Sequence, residues 1–129
     1  MKKIFTIMVA DKNKKVCDLL QRELAAEGYD VVVAGDGGRI LAELDREDTL
    51  DLLVFDLEMP DTDNAKVFEK AQNRQVPLPV IVHTFLTEES ERDSSLNKEE
   101  MYIEKSGNID HLKAAIAEML KTFLPRPAG

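Results

Sequence analysis

The chain has 129 residues, enough for one domain, with 43% apolar and 33% charged residues and a net charge of −8. That charge argues against nucleic acid or an anionic membrane as a direct partner, because an acidic surface repels phosphates. The single cysteine, Cys17, excludes an intrachain disulfide framework, and the apolar run before Asp11 is too short for a signal peptide or a membrane span, so the expectation is a soluble cytoplasmic protein.

Residues 4–10 are apolar and β-branched and read as a strand. Residues 14–27 follow with Val16, Leu19, Leu20 and Leu24 at helical spacing, and Gly28 ends the pattern. Cys17 lies within it as a small, partly buried apolar residue. Residues 30–34 carry Val31, Val32 and Val33, a second strand. Gly35-Asp36-Gly37-Gly38 reads as a turn, since Ile40 stands where a dinucleotide fingerprint needs its third glycine. Ile40, Leu41 and Leu44 give the next helix its buried stripe. Residues 52–56 are a continuous apolar run ending in Asp56, as expected of a central parallel strand covered on both faces.

A third helix is expected over residues 64–75 (Ala65, Val67, Phe68, Ala71), with Pro77 and Pro79 preventing its continuation. Residues 80–84 form a fourth strand and 101–103 a short fifth. Residues 108–123 form the last helix, capped by Asn108, with Ile109, Leu112, Ile116, Met119, Leu120 and Phe123 on one face. Residues 87–100 are almost wholly polar and support only a weak fourth helix. Five strands alternating with five helices imply right-handed crossovers and one doubly wound parallel α/β sheet. The domain spans residues 1–124, and 125–129 form a tail.

In an open α/β sheet, ligands bind beyond the carboxyl ends of the strands. Asp11, Asp56, Thr84 and Lys105 each end an apolar run. Their convergence would make a phosphoryl site with a carboxylate nucleophile. His83 reads as a satisfied core or face histidine, and His111 as a solvated one; neither has metal-site spacing. The run from Glu88 to Asp93 reads as a solvated face or loop.

These residues resemble the response-regulator receiver domain of two-component signalling. The resemblance is carried by Ile7-Met8-Val9-Ala10-Asp11, Leu19-Leu20, Gly28-Tyr29-Asp30-Val31, Ala34-Gly35-Asp36-Gly37, Asp56-Leu57-Glu58-Met59-Pro60-Asp61-Thr62-Asp63, Val80-Ile81-Val82-His83-Thr84 and Tyr102-Ile103-Glu104-Lys105. It implies the flavodoxin-like strand order 2-1-3-4-5. It further implies that Asp56 accepts a phosphoryl group from a histidine kinase or phosphotransfer protein. Asp11, Asp56 and the backbone carbonyl of Glu58 would contact Mg²⁺. Thr84 would contact the phosphoryl group and switch position, Lys105 would pair with its oxygens, and Tyr102 would swing between rotamers. The signal would pass to a downstream protein, and the domain would not be a stand-alone enzyme.

The chain departs from the family pattern at Lys12, where a second metal-binding acid is usual. Asn64 replaces a glycine, Phe85 a small residue, and Ser106 a proline, so the cis peptide common before that proline is not expected. Asp11 and Asp56 are balanced by Lys12 and Lys105 without any metal. A lysine ammonium about 4 Å from Mg²⁺ would meet roughly 8 kcal/mol of repulsion at an effective dielectric near 20. The expectation is therefore a Lys12 that reaches toward Asp56, a Glu58 side chain in solvent, weak or absent Mg²⁺ binding, and impaired phosphorylation. The second functional reading is a degenerate receiver acting as a phosphorylation-independent interaction module. A third, an aspartate phosphatase, is disfavoured because Asp56-Leu57-Glu58 ends the third strand rather than the first.

Overall fold

The computed structural model describes residues 4–46, 50–84, 101–105 and 109–123. Five parallel strands, β1 (Thr6–Ala10), β2 (Asp30–Ala34), β3 (Leu52–Phe55), β4 (Val80–Thr84) and β5 (Met101–Glu104), form one sheet in the order β2-β1-β3-β4-β5. Four helices are described: α1 (Lys14–Ala26), α2 (Gly37–Asp45), α3 (Asn64–Gln72) and α4 (Ile109–Phe123). The expected weak helix over 87–100 lies outside the described residues, as do Phe85, Ser106 and the Asn108 cap.

Strand side chains alternate between two cores, because successive residues point to opposite faces. Met8, Leu53, Phe55, Val80 and Val82 pack with α2 and α3 through Ile40, Leu44, Val67, Phe68 and Ala71. Phe55 and Phe68 meet edge to face, with centroids 5.6 Å apart. Ile7, Val9, Leu52, Val54 and Ile81 pack on the other side with Leu20 and Leu24 of α1 and Leu112, Ile116, Met119 and Leu120 of α4. The central strands are thus buried on both faces, which explains the unbroken apolar run of β3. Leu19 is 40% exposed and lies outside the α1 stripe assigned to it, because Cys17, Leu20 and Leu24 already fill the face toward the sheet.

The helix starts follow short polar side chains. Asn13 caps α1 by accepting from Lys15 N and Val16 N, Asp36 caps α2 through Arg39 N, and Asp63 caps α3 through Lys66 N. The Gly35–Gly38 stretch is thus the entry to α2, with Gly37 and Gly38 already helical. The third helix stops at Gln72, short of the expected residue 75. Buried Arg74 lies beyond it and donates to the carbonyls of Leu44 (2.8 Å) and Arg46 (3.0 Å) at the end of α2. Asp51, also buried, accepts from Thr6 N at 2.8 Å and pins the start of β1 against β3.

Gly37 is required for close approach. A β-carbon there would overlap Thr62 Oγ1 and come within 3.1 Å of Thr62 Cβ, on the loop that carries Asp56 into α3. Gly37→Ala is expected to destabilise the fold by about 1–3 kcal/mol through overpacking, and Thr62→Ala in the same chain to recover part of that loss. Urea unfolding of the two variants and the parent measures it.

Candidate functional site

The register of the sheet brings the site together. Ala10 pairs with Phe55, and the ladder continues one residue further, with Asp56 N donating to Ala10 O at 3.0 Å. Asp11 N donates to Ala34 O at 3.3 Å, and Lys105 N donates to Thr84 O at 3.0 Å. Each residue just past its strand therefore keeps a sheet-like backbone bond, and its side chain leaves the sheet edge in a fixed direction.

Asp11 and Asp56 are almost fully buried, at 2% and 1% exposure, and Thr84 is wholly buried. Lys105 Nζ lies 2.5 Å from Asp11 Oδ2 and 2.9 Å from Asp56 Oδ2, bridging the two carboxylates. Asp56 Oδ1 accepts from Thr84 Oγ1 and from the backbone N–H of Glu58, both at 3.0 Å. Asp11 Oδ1 accepts from Asn13 N at 2.8 Å. The four strand-end residues expected to meet do meet. Burial works against the charge of Lys105, but its hydrogen bonds and attraction to Asp11 and Asp56 prevail and raise its pKa.

Lys12 does not reach toward Asp56. Its Nζ is 3.8 Å from Glu58 Oε2, and both side chains are about half exposed (50% and 45%). The reason is occupancy: Lys105, Thr84 and the Glu58 N–H already engage the oxygens of Asp56, so the nearest available carboxylate for Lys12 is a hydrated one. The Glu58 side chain is thus exposed but paired. Asn64, where the family has a glycine, opens α3 and its amide donates to Leu57 O at 3.0 Å, while the left-handed backbone of this loop is at Asp61 (φ 52°). Tyr102 pairs with Val82 through the backbone, and its side chain lies outside the described residues.

Two functional contacts escaped the sequence reading. Asn13 and Glu58 each donate a backbone N–H to the aspartate two residues earlier, and the Asp-x-Asn and Asp-x-Glu spacing could have signalled these turns. His83 is half-buried, and its Nδ1 has no partner among the described residues. Burial lowers its pKa, Lys105 adds to the effect, and Asp11 and Asp56 oppose it.

The response regulator receiver domain family model matches residues 7–117. This chain belongs to that family. Response regulator MprA of Mycobacterium leprae (strain TN) is 32% identical over 124 residues, covering 95% of this chain and 54% of that protein. The chain therefore spans about half the length of the curated relatives it matches. The response regulator TrrA from Thermotoga maritima, solved in complex with Mg²⁺-BeF, superposes with a TM-score of 0.78 at 27% identity, covering 90% of this chain and 99% of that one. A receiver from Methanospirillum hungatei JF-1 gives a TM-score of 0.81 at 28% identity, covering 92% and 95%. No described helix of this receiver is long and apolar enough to cross a membrane.

The resemblance implies Mg²⁺, which takes oxygen ligands in near-octahedral geometry. The side chains of this receiver do not fit that demand. Asp11 and Asp56 are both ion-paired with Lys105, and the Glu58 carboxylate faces Lys12.

Two stability effects follow. Lys105→Met is expected to cost about 3–5 kcal/mol, because it leaves two buried carboxylates without their cation; denaturant unfolding reads the loss. The lowered pKa of His83 means that the unfolded chain binds the proton more readily. Stability should therefore fall as pH drops below 6.5, the ordinary histidine value, by at most about 1.4 kcal/mol per pH unit. His83→Gln should remove that component, and unfolding curves on either side of pH 6.5 compare the two chains.

Proposed function

We propose that this receiver accepts a phosphoryl group on Asp56 from a histidine kinase or a phosphotransfer protein, and signals by a conformational change to a downstream protein. The observation that carries the reading is the environment of Asp56: a buried carboxylate with Lys105 on one oxygen and Thr84 on the other. A solved complex of the histidine kinase ThkA with TrrA, in which the matched chain is 27% identical with a TM-score of 0.78, supports the partner class.

Asp56 Oδ1 is held by the Thr84 hydroxyl and the Glu58 N–H, whereas Oδ2 carries Lys105. In this reading Oδ2 is the attacking oxygen, because its one partner is a side-chain ammonium that can move off it, whereas Oδ1 is held in part by a backbone N–H. As its bond to phosphorus forms, the P–N bond of a phosphohistidine donor breaks and the electron pair returns to the imidazole. Lys105 then shifts from Oδ2 to the phosphoryl oxygens and offsets their charge. Thr84 turns its hydroxyl from Oδ1 to a phosphoryl oxygen. That movement at the end of β4 starts the switch, and Tyr102 on the adjoining strand follows.

The chain acts in this reading as a phosphoacceptor rather than a stand-alone enzyme, in the cytoplasm, with weak Mg²⁺ binding. Any output module belongs to the length that its relatives have beyond the matched half. With a small donor such as phosphoramidate, intact-mass analysis should show an adduct of about 80 Da, one phosphoryl group. Asp56→Asn should abolish it, and Thr84→Ala should slow its formation by about tenfold, the loss of one hydrogen bond to developing charge. An adduct that survives in Asp56→Asn would refute the assignment.

A further inference from the structure

We propose that the cleft binds the phosphoryl group without a divalent cation, using the Lys12 ammonium as a second cationic arm beside Lys105. This rests on the reading of Asp56 as phosphoacceptor and names the group that stands in for a metal.

The two loops at the sheet edge present Lys12 and Glu58 from fixed positions. Asn13 N on Asp11 Oδ1, at 2.8 Å, holds the turn that carries Lys12. Glu58 N on Asp56 Oδ1, at 3.0 Å, holds the turn that carries Glu58. The side chains meet at 3.8 Å, half exposed to water. An ion pair of that length and exposure is screened and readily exchanged. Lys105 is different: it is 10% exposed and bonded to both buried carboxylates. The pocket thus holds one fixed cation and one held in reserve.

A phosphoryl group arriving at Asp56 brings up to two negative charges and three strong acceptor oxygens. It competes for Lys12 against a single hydrated carboxylate, and the ammonium moves from Glu58 to the phosphoryl oxygens. Lys12 and Lys105 together then set two positive charges against the two that the phosphoryl group brings, with no added ion. A dication would have to displace Lys105 from its two carboxylates and approach Lys12 against like-charge repulsion.

The test follows adduct formation by intact mass, with phosphoramidate as donor, in excess EDTA and in about 10 mM Mg²⁺. The wild-type rate in EDTA should lie within about threefold of that in Mg²⁺, and Lys12→Ala should lower the EDTA rate by about tenfold or more. Lys12→Asp should form adduct only with Mg²⁺. Backbone amide shifts of residues 11 and 56 give a second readout: titration with MgCl₂ alone should not saturate for wild type up to about 10 mM, and should saturate for Lys12→Asp. A wild-type rate that falls more than about tenfold in EDTA overturns the proposal while keeping Asp56 as acceptor. Wild-type saturation below about 1 mM Mg²⁺ overturns it whether or not adduct forms. Absence of adduct under both conditions removes the acceptor reading and this proposal with it.

Discussion

Two carboxylates lie buried side by side at the end of a parallel sheet, and one ammonium makes that possible. Asp11 and Asp56 leave water almost entirely, which costs several kcal/mol per ion unless a partner compensates. Lys105 compensates both at once. The arrangement still carries one more negative than positive charge, so it is poised to rearrange when its charge changes. A stable charge cluster with room for change is what a switch requires.

The sheet supplies the rigidity that such a cluster needs. Asp11, Asp56 and Lys105 each keep a backbone hydrogen bond to the neighbouring strand one residue past the strand proper. Packing on both faces holds those strands in register, and Asp51 pins the opposite end of β1. The loops above the sheet are also tied down, by the turns at Asp11 and Asp56 and by the contact of Gly37 with Thr62. The freedom that remains is in side chains, above all the exposed Lys12–Glu58 pair.

The order of elements was legible because the apolar pattern changes period between strand and helix, and the match is close for β2 and β4. The apolar run of β3 announced burial on both faces before any packing was known. Individual side chains were harder. Leu19 has the right spacing for the α1 stripe, yet the face toward the sheet is too narrow to take it. Arg74 and Asp51 look like surface residues in the sequence, but each is buried where it satisfies backbone groups from a distant segment. Such partners are far apart along the chain, so no local pattern reports them.

The sequence by itself determined the alternation of strands and helices, the family, and the four polar residues that end the strands. These follow from short-range periodicity and from residue types at fixed spacing. Only the tertiary structure decided which oxygen each cation takes. Lys105 reaches both carboxylates because β5 lies next to β4 at the sheet's edge, while Lys12, one residue past Asp11, turns outward to Glu58. The physical reason is competition for a finite number of lone pairs: a buried carboxylate already satisfied leaves a neighbouring ammonium in water.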